Sequence, residues 1–307
     1  MILCCGEALI DLIPTKTSDG KIAYVPHNGG SIYNTCIALA RLGSEVGFLG
    51  GISNDFFGQS IKNGLEESNV SDLYSIYSNR SSTVAFVDLD SSNPKYIFLD
   101  ENSAGRMIRD HEILKLNNEI KALHFGSISL IHEPAGETLE NLAISESKNR
   151  VISLDPNIRP SQIKDSSLHS ERLNRIIKHT DIIKLSIEDF EWMPSNLSCK
   201  ELSLSWLEQG VKIVIVTNGH KGSIAYFKDS VLEVPARSVK ASDTIGAGDT
   251  FMAGVLNFFD KKNKLSRSSI NDITQDDITE ALEFASNAAS ITVSRQGANP
   301  PWKNEVL

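Results

Sequence analysis

The chain has 307 residues and a net charge of −9, with 40% hydrophobic and 22% charged residues. These fractions are typical of a folded globular protein and exclude a disordered, collagen-like or disulfide-stapled chain. The acidic balance argues against nucleic acid or an anionic membrane as a partner. The four cysteines show no C-x-x-C pair and no zinc-ligand spacing. Because there is neither a targeting leader nor an apolar run of about 20 residues, we expect a cytoplasmic protein with reduced thiols.

The first third of the chain predicts strands around one helix. Residues 2–13 predict a single buried strand that carries two carboxylates. Alternating residues at 21–27 and 83–99 predict half-exposed antiparallel strands, with a turn at residues 91–94. Apolar residues at helical spacing predict a helix over residues 32–42, and the glycine that follows is placed to end it.

After about residue 108, short apolar runs alternate with helical stretches, which is typical of βαβ units around a mostly parallel sheet. The apolar runs are residues 122–125, 151–154, 182–185 and 213–216. Ligands of such sheets bind beyond the carboxyl ends of the strands, where polar clusters follow these runs. The sequence therefore predicts one α/β body with a small β appendage. The body comprises residues 1–12, 28–82 and 104–307, and the appendage residues 13–27 and 83–103.

The most informative segment is DTIGAGDTF, residues 243–251. Its glycines, Gly246 and Gly248, allow a tight turn that directs several N–H groups to one place, and an apolar helix follows. Such a helix start binds anions and favours the ionised form of Asp249. A carboxylate beside an anion hole suits phosphoryl transfer to an alcohol. The alternative makes Asp249 a helix cap and the glycines ordinary turn residues.

Several ordered motifs resemble those of the PfkB, or ribokinase-like, carbohydrate kinases, and most of all the bacterial fructokinases. The motifs are GEALID (6–11), GGSIYN (29–34), DPNIRP (155–160), TNGHKG (217–222) and DTIGAGDTF (243–251). The resemblance covers nearly the whole chain. It implies a three-layer α/β/α ribokinase-like fold with a mostly parallel central sheet, and a β-sheet lid formed by the appendage. It also implies ATP and Mg²⁺ as cofactors, and a homodimer formed through the lid.

The resemblance implies a set of residues that bind the sugar: Asp11, Gly29, Gly30, Asn34, Phe98 and Arg106. A buried charge such as Asp11 is costly without partners, and sugar hydroxyls would supply them. The glycines would let the backbone approach the sugar, and Asn34 offers both a donor and an acceptor. For Arg106 the alternative to a sugar contact is a salt bridge within the lid.

On the phosphate side, the resemblance implies Asp249 as the base and Gly246, Ala247 and Gly248 as the anion hole. It places Arg159 at the transferred phosphoryl group, because a guanidinium offers paired donors; the alternative is a surface ion pair. The implied nucleotide-binding residues are Lys184, Ser186, Thr217, Gly219, Gly222 and Asn287.

Three of these assignments keep an alternative. Lys184, which is expected just past the strand at residues 182–183, is either a phosphate ligand or a solvated lysine. Asn287 is either an adenine contact or an exposed helical residue. The family's N-x-x-E magnesium motif is changed here to Ser186-Ile-Glu-Asp, so Glu188 takes the metal role, with Asp189 as the alternative. The residues do not decide whether K⁺ binds near the loop that begins at Asp243.

The implied reaction is ATP-dependent transfer of the γ-phosphoryl group to the terminal hydroxyl of D-fructose, which gives fructose 6-phosphate. The sugar assignment depends on ALHFGSISL (122–130), DPNIRP (155–160) and SAGRM (103–107). The alternative on the same scaffold is a 2-keto-3-deoxygluconate kinase, whose acidic substrate calls for a cation such as Arg106. A non-catalytic sugar sensor is the alternative from another class, and the presence of Asp249 and both glycines argues against it.

Overall fold

The structure is a computed structural model that describes residues 1–88 and 95–306, so the predicted turn at residues 91–94 lies outside the described residues. The strands are β1 (Ile2–Cys5), β2 (Leu9–Lys16), β3 (Ile22–Gly29), β4 (Val46–Leu49), β5 (Gly51–Ser53), β6 (Ile76–Ser78), β7 (Val84–Asp88), β8 (Lys95–Leu99), β9 (Ala122–Gly126), β10 (Val151–Asp155), β11 (Ile182–Ser186), β12 (Ile213–Thr217), β13 (Ser223–Phe227) and β14 (Ser230–Val234). The α-helices are α1 (Ser31–Arg41), α2 (Phe56–Glu67), α3 (Ala135–Glu146), α4 (Ser166–Ile177), α5 (Ile187–Trp192), α6 (Cys199–Glu208), α7 (Ala247–Lys261), α8 (Gln275–Val293) and α9 (Lys303–Val306).

The central sheet has the strand order β14-β13-β12-β11-β10-β9-β1-β4. It is parallel from β12 to β4, and β13 and β14 are antiparallel to their neighbours. Successive strand residues point to opposite faces, so one face packs against α1, α2, α7 and α8 and the other against α3, α4 and α6. The predicted three-layer α/β/α fold with a mostly parallel sheet is confirmed. No helix in residues 1–88 and 95–306 is long and apolar enough to cross a membrane.

The smaller sheet has the order β3-β2-β7-β8. Its β2–β3 and β7–β8 pairs are antiparallel as predicted, whereas β2 and β7 pair in parallel. The strands β2 and β3 extend beyond the predicted lid segments at residues 9–12 and 28–29. The division of the chain into a body and a lid stays a prediction.

The expectation of one strand over residues 2–13 is wrong, because β1 and β2 belong to different sheets. Between them the chain turns at Gly6, where a Cβ would lie 2.6 Å from Cγ1 of Ile32 in α1. The next side chain, Glu7, accepts a hydrogen bond from the Ser31 backbone N–H at 2.9 Å. The start of α1 therefore interrupts the strand, and no local pattern in the sequence marks that contact.

Close packing of helices brings the start of α7 to the sheet edge. At Gly254 an added Cβ would lie 2.6 Å from the Cα of Ala285, so α7 and α8 approach at backbone distance. The other neighbour, α1, ends as predicted, with Gly43 at a φ of 94° just beyond it. The amino-terminal ends of α1 and α7 consequently lie close together at this edge of the sheet.

Candidate active site

A cavity of about 390 Å³ lies at the carboxyl ends of the central strands, between the small sheet and the starts of α1 and α7. The predicted site residues that line it are Asp11, Gly30, Asn34, Phe98, Arg159, Lys184, Ser186, Glu188, Thr217, Gly219, Gly246, Gly248 and Asp249. The predicted residues outside its lining are Gly29, Arg106, Ala247, Gly222 and Asn287. Sequence segments more than 200 residues apart thus meet at the place where parallel sheets bind ligands.

The Asp249 carboxylate lies in the first turn of α7 and is held by side chains from two other segments. Its Oδ1 accepts hydrogen bonds from Ser31 Oγ at 2.7 Å and from Asn157 Nδ2 at 3.4 Å. Its Oδ2 accepts one from Asn34 Nδ2 at 2.9 Å. Asp249 is 7% exposed, and its oxygens contact these side chains rather than cap the helix, whose N-cap is Gly246. The carboxylate is therefore fixed in orientation at the cavity wall.

The two glycines before Asp249 lie in tight surroundings, and at Gly246 the backbone conformation also favours glycine. Gly246 has a φ of 76°, a left-handed conformation, and a Cβ there would lie 2.8 Å from Cβ of Ala298. A Cβ at Gly248 would lie 3.0 Å from Nζ of Lys184. The first-turn N–H groups of a helix have no carbonyl partner within the helix, and the helix dipole adds partial positive charge there. The start of α7 is thus suited to an anion, with an ammonium group beside it.

Lys184 is a buried member of an ion pair. It lies within β11, not past the strand as predicted, and its Nζ is 2.9 Å from Oδ2 of Asp155 on β10. Burial acts to lower the pKa of Lys184, but attraction to Asp155 and Asp189 outweighs it and the pKa is raised. Lys184 is 4% exposed, so the alternative of a solvated lysine is wrong. Lys184 therefore stays protonated next to Gly248, as the cationic member of an ion pair with Asp155.

The two carboxylates considered for magnesium have different surroundings. Asp189 accepts hydrogen bonds from the N–H groups of Ile158 at 2.6 Å and Ser186 at 2.8 Å, and from the Ser186 hydroxyl. It forms a capping box with Ser186 at the start of α5. Glu188 is exposed on the cavity wall and, within residues 1–88 and 95–306, makes no ion pair. Of the two carboxylates, Asp189 is therefore engaged in structural hydrogen bonds and Glu188 is open to the cavity.

On the opposite wall, Asp11 projects from β2. Burial raises the pKa of Asp11 to about 6, against the lowering effect of the nearby Arg159 charge. Its carboxylate occupies the space beside Gly29, where an added Cβ would lie 2.1 Å from Oδ2, so Gly29 makes room for Asp11. The rings of Tyr96 and Phe98 on β8 stack with centroids 5.8 Å apart and cover this end of the cavity. This wall combines a carboxylate with flat apolar surfaces, as sugar-binding pockets do.

Arg159 lies at the boundary between the two walls. Its Nη1 donates to Oδ1 of Asn157 at 2.5 Å, and Asn157 in turn donates to Ser31 Oγ at 2.6 Å. The guanidinium is half-buried, and among the residues that the structure describes it forms no salt bridge within 4.0 Å. The alternative of a surface ion pair is therefore wrong in this structure. The hydrogen bond to Asn157 holds Arg159 near Asp249.

The predicted residues outside the cavity make other contacts. Arg106 pairs with Asp100 at 3.3 Å, as the salt-bridge alternative expects. Asn287 accepts a hydrogen bond from Arg237 at 2.6 Å and donates to the last helix, α9. At Gly222 the φ of 104° and the proximity of β14 both require glycine. Direct contact of these residues with a ligand stays a prediction.

Several residues that build the site are not among the predicted site residues. Ser31 and Asn157 hold Asp249, Asp155 holds Lys184, and Glu7 binds the start of α1. Glu7 is buried, and burial raises the pKa of its carboxyl to about 7. All four lie inside or beside the quoted motifs, but their partners come from remote segments. The motifs could therefore have pointed to these residues, but the sequence does not show which remote residues they contact.

The fold and this cavity define an α/β kinase of small hydroxylated molecules, with a carboxylate and an anion-binding helix start at the end of a parallel sheet. The family model for pfkB family carbohydrate kinases matches residues 1–305 of the chain. A curated fructokinase from Rhizobium leguminosarum bv. trifolii is 44% identical over 275 residues, which cover 90% of this chain and 84% of that protein. The chain belongs to the pfkB family of carbohydrate kinases.

Solved structures agree with this assignment. A fructokinase with bound ATP from Xylella fastidiosa superposes with a TM-score of 0.91 at 26% identity, over 99% of this chain and 96% of that one. A fructokinase from Vibrio cholerae O395, in a fructose-, ADP- and calcium-bound form, superposes with a TM-score of 0.84 over 97% of this chain and 94% of that one. At 24% identity the second comparison supports the fold alone.

Proposed function

We propose that this enzyme transfers the γ-phosphoryl group of ATP to the terminal hydroxyl of D-fructose and forms fructose 6-phosphate. The observation that carries the proposal is the Asp249 carboxylate, oriented by Ser31 and Asn34 at the helix start that follows Gly246 and Gly248. A base and an anion hole within one cavity are the two parts that phosphoryl transfer to an alcohol needs.

In the proposed reaction, Asp249 accepts the proton of the sugar hydroxyl as that oxygen forms its bond to the γ-phosphorus. The bond from the γ-phosphorus to the bridging oxygen breaks, and ADP leaves with the electron pair. The backbone of Gly246, Ala247 and Gly248 then stabilises the charge on the transferring group, together with Arg159. We propose that Lys184, Ser186, Thr217, Gly219, Gly222 and Asn287 bind the nucleotide.

The fit of a magnesium ion depends on Glu188. No cluster of three or more histidine, cysteine, aspartate or glutamate side chains suited to a metal occurs in the described residues. A single exposed carboxylate suits Mg²⁺, which keeps several waters and takes phosphate oxygens as ligands. We propose that Glu188 binds such an ion through its water shell, where the ion would neutralise charge on the nucleotide phosphates.

For the sugar, the relatives named as fructokinases support fructose, and they do not favour 2-keto-3-deoxygluconate. The proposed sugar-binding residues are Asp11, Gly29, Gly30, Asn34, Phe98 and Arg106. Asp11 would receive hydrogen bonds from sugar hydroxyls, which would complete the shell of a buried carboxylate. The small sheet would act as a lid that excludes water and so limits hydrolysis of ATP.

We propose a homodimer that forms through the lid, because its outer face exposes large apolar side chains. The exposed fractions are 70% for Ile22, 67% for Ile97 and 58% for Leu99. The four cysteines are free, three of them buried, which fits a reducing compartment, and we place the enzyme in the cytoplasm. The charge of −9 leaves ATP and sugar, not nucleic acid, as the expected partners.

The proposal is tested by measuring ATP consumption by the purified protein with Mg²⁺ and five acceptors: fructose, 2-keto-3-deoxygluconate, ribose, glucose and adenosine. We expect strong turnover with fructose and formation of fructose 6-phosphate. Turnover with 2-keto-3-deoxygluconate alone would keep the mechanism and overturn the sugar. Fructose binding by calorimetry without any ATP consumption would instead identify a sensor.

A further inference from the structure

A second cavity borders the site on the lid side. Its volume is about 560 Å³, and the Phe98 ring forms part of both walls. A narrow cavity beside it shares Glu7 and Ile128 with the main cavity. Asp100 and Arg106 line both of these side cavities. Groups at this position lie next to the sugar end of the site, away from the nucleotide end.

The side cavities contain an ion pair between the proposed sugar-binding residue Arg106 and Asp100, which has no role in the proposed reaction. Arg106 Nη1 lies 3.3 Å from Oδ1 of Asp100, and its Nε donates to the Glu133 carbonyl at 3.3 Å. The second oxygen of Asp100 lies 3.8 Å from Nε2 of His132. The side chains of Arg106 and Asp100 are only 26% and 12% exposed, so solvent screens this pair incompletely.

The charges around the second cavity balance. Asp100 and Glu101 carry negative charge, and Arg106 and Lys164 carry positive charge. Burial lowers the pKa of His132 below its ordinary value, so His132 adds no charge at neutral pH. If the carboxylate of a sugar acid entered this cavity, the charge of Arg106 would already be neutralised by Asp100. The sugar carboxylate would also be repelled by the Asp100 carboxylate. A neutral ketose has no carboxylate and so experiences no such repulsion.

We propose that Asp100 is a specificity-determining residue, which neutralises Arg106 and thereby makes this sugar site discriminate against sugar acids in favour of neutral sugars. The inference depends on the proposed fructokinase activity and deepens it. It assigns selection by repulsion to a residue that does not line the main cavity, and selective sites commonly use such a repulsive element.

The test replaces the carboxylate by its neutral isostere, Asp100→Asn, and measures kcat/KM with fructose and with 2-keto-3-deoxygluconate. We expect the ratio of the acid to fructose to rise by about tenfold or more, because the Arg106 charge is freed. The double variant Asp100→Asn/Arg106→Gln should lose that gain. Calorimetric Kd values for both sugars measure the discrimination in ground-state binding, even for a variant with weak turnover.

Glu101→Gln is the matched control, since it removes an equal charge from the same cavity without breaking the ion pair. Its ratio should change by less than about threefold, as expected for an exposed charge. An unchanged ratio in Asp100→Asn, or a gain that survives in the double variant, would overturn the specificity role. Those results would leave the fructokinase proposal intact if the wild-type enzyme phosphorylates fructose. Absence of fructose turnover in the wild type would overturn both proposals.

Discussion

Asp249 and Asp11 line the same cavity, but the protein completes the surroundings of only one of them. Asp249, on the body side, receives hydrogen bonds from Ser31, Asn34 and Asn157. Asp11, on the lid side, is partly buried near Arg159, and desolvation raises its pKa to about 6. The contrast indicates that Asp249, the proposed base, is oriented before substrate arrives, whereas Asp11, the proposed sugar ligand, would require the sugar to complete its hydrogen bonds.

The largest effect is expected at the pre-oriented side. Asp249→Ala should lower kcat by about 10³-fold, the scale of a general base, while fructose and ATP still bind. Single-turnover kinetics and calorimetry on the same preparation measure the two properties. Asp276→Ala, which removes an exposed acid from the first turn of α8, is the matched control. Near-normal turnover in Asp249→Ala would contradict the role of this carboxylate as base.

The second prediction concerns the buried Lys184–Asp155 ion pair, which we expect to stabilise the body side of the cavity. Lys184→Met leaves Asp155 buried without its partner, and we expect a loss of about 3–5 kcal/mol in the free energy of unfolding. Urea denaturation measures this loss. The double variant Lys184→Met/Asp155→Asn should recover a large part of it, because no unpaired charge remains. A single variant as stable as the wild type would show that the pair does not hold the site.

A smaller effect is expected at Ser31, which donates to Asp249 without a proposed contact to substrate. Ser31→Ala should lower kcat by about tenfold at an unchanged KM, since a hydrogen bond to a charged group is lost. Ser205→Ala is a fair comparison, because that hydroxyl donates a hydrogen bond to the Leu202 carbonyl of its own helix, α6. Equal kcat values for Ser31→Ala and the wild type would mean that Asp249 needs no such orientation.

The sequence predicted the parts of the site that lie within one segment. The glycines and Asp249 of residues 243–251, and the four parallel strands that precede them, follow from local spacing and apolar runs. The contacts between segments did not follow. Asp155 and Lys184 are side chains on adjacent strands, and only the register of β10 against β11 brings them together.

The failed strand prediction has the same physical origin. Residues 2–13 are apolar enough for one strand, but the Glu7 carboxylate binds the first N–H groups of α1 and the chain changes sheets there. Hydrophobic periodicity describes burial and contains no information on which helix start a carboxylate will meet. Single-segment patterns therefore predict the elements, and tertiary contacts decide where those elements are interrupted.

The last prediction concerns Asp11 on the lid side and the pH dependence of KM for fructose. The raised pKa of Asp11 means that its ionised form, which we propose accepts hydrogen bonds from sugar hydroxyls, is lost progressively as pH falls through about 6. KM for fructose should therefore rise by up to about tenfold per pH unit below that value. Asp11→Asn should bind fructose weakly at every pH and lose this dependence. A KM that is constant from pH 5 to pH 8 would contradict the proposal that the ionised Asp11 carboxylate accepts hydrogen bonds from the sugar.

Calorimetry of fructose binding at pH 6 in two buffers of different ionisation enthalpy tests the contrast most directly. Free Asp11 is then about half protonated, so binding to its ionised form should release about half a proton per site. The release should vanish at pH 8 and in Asp11→Asn. Equal binding heats in both buffers at pH 6 would show that the sugar does not complete this carboxylate.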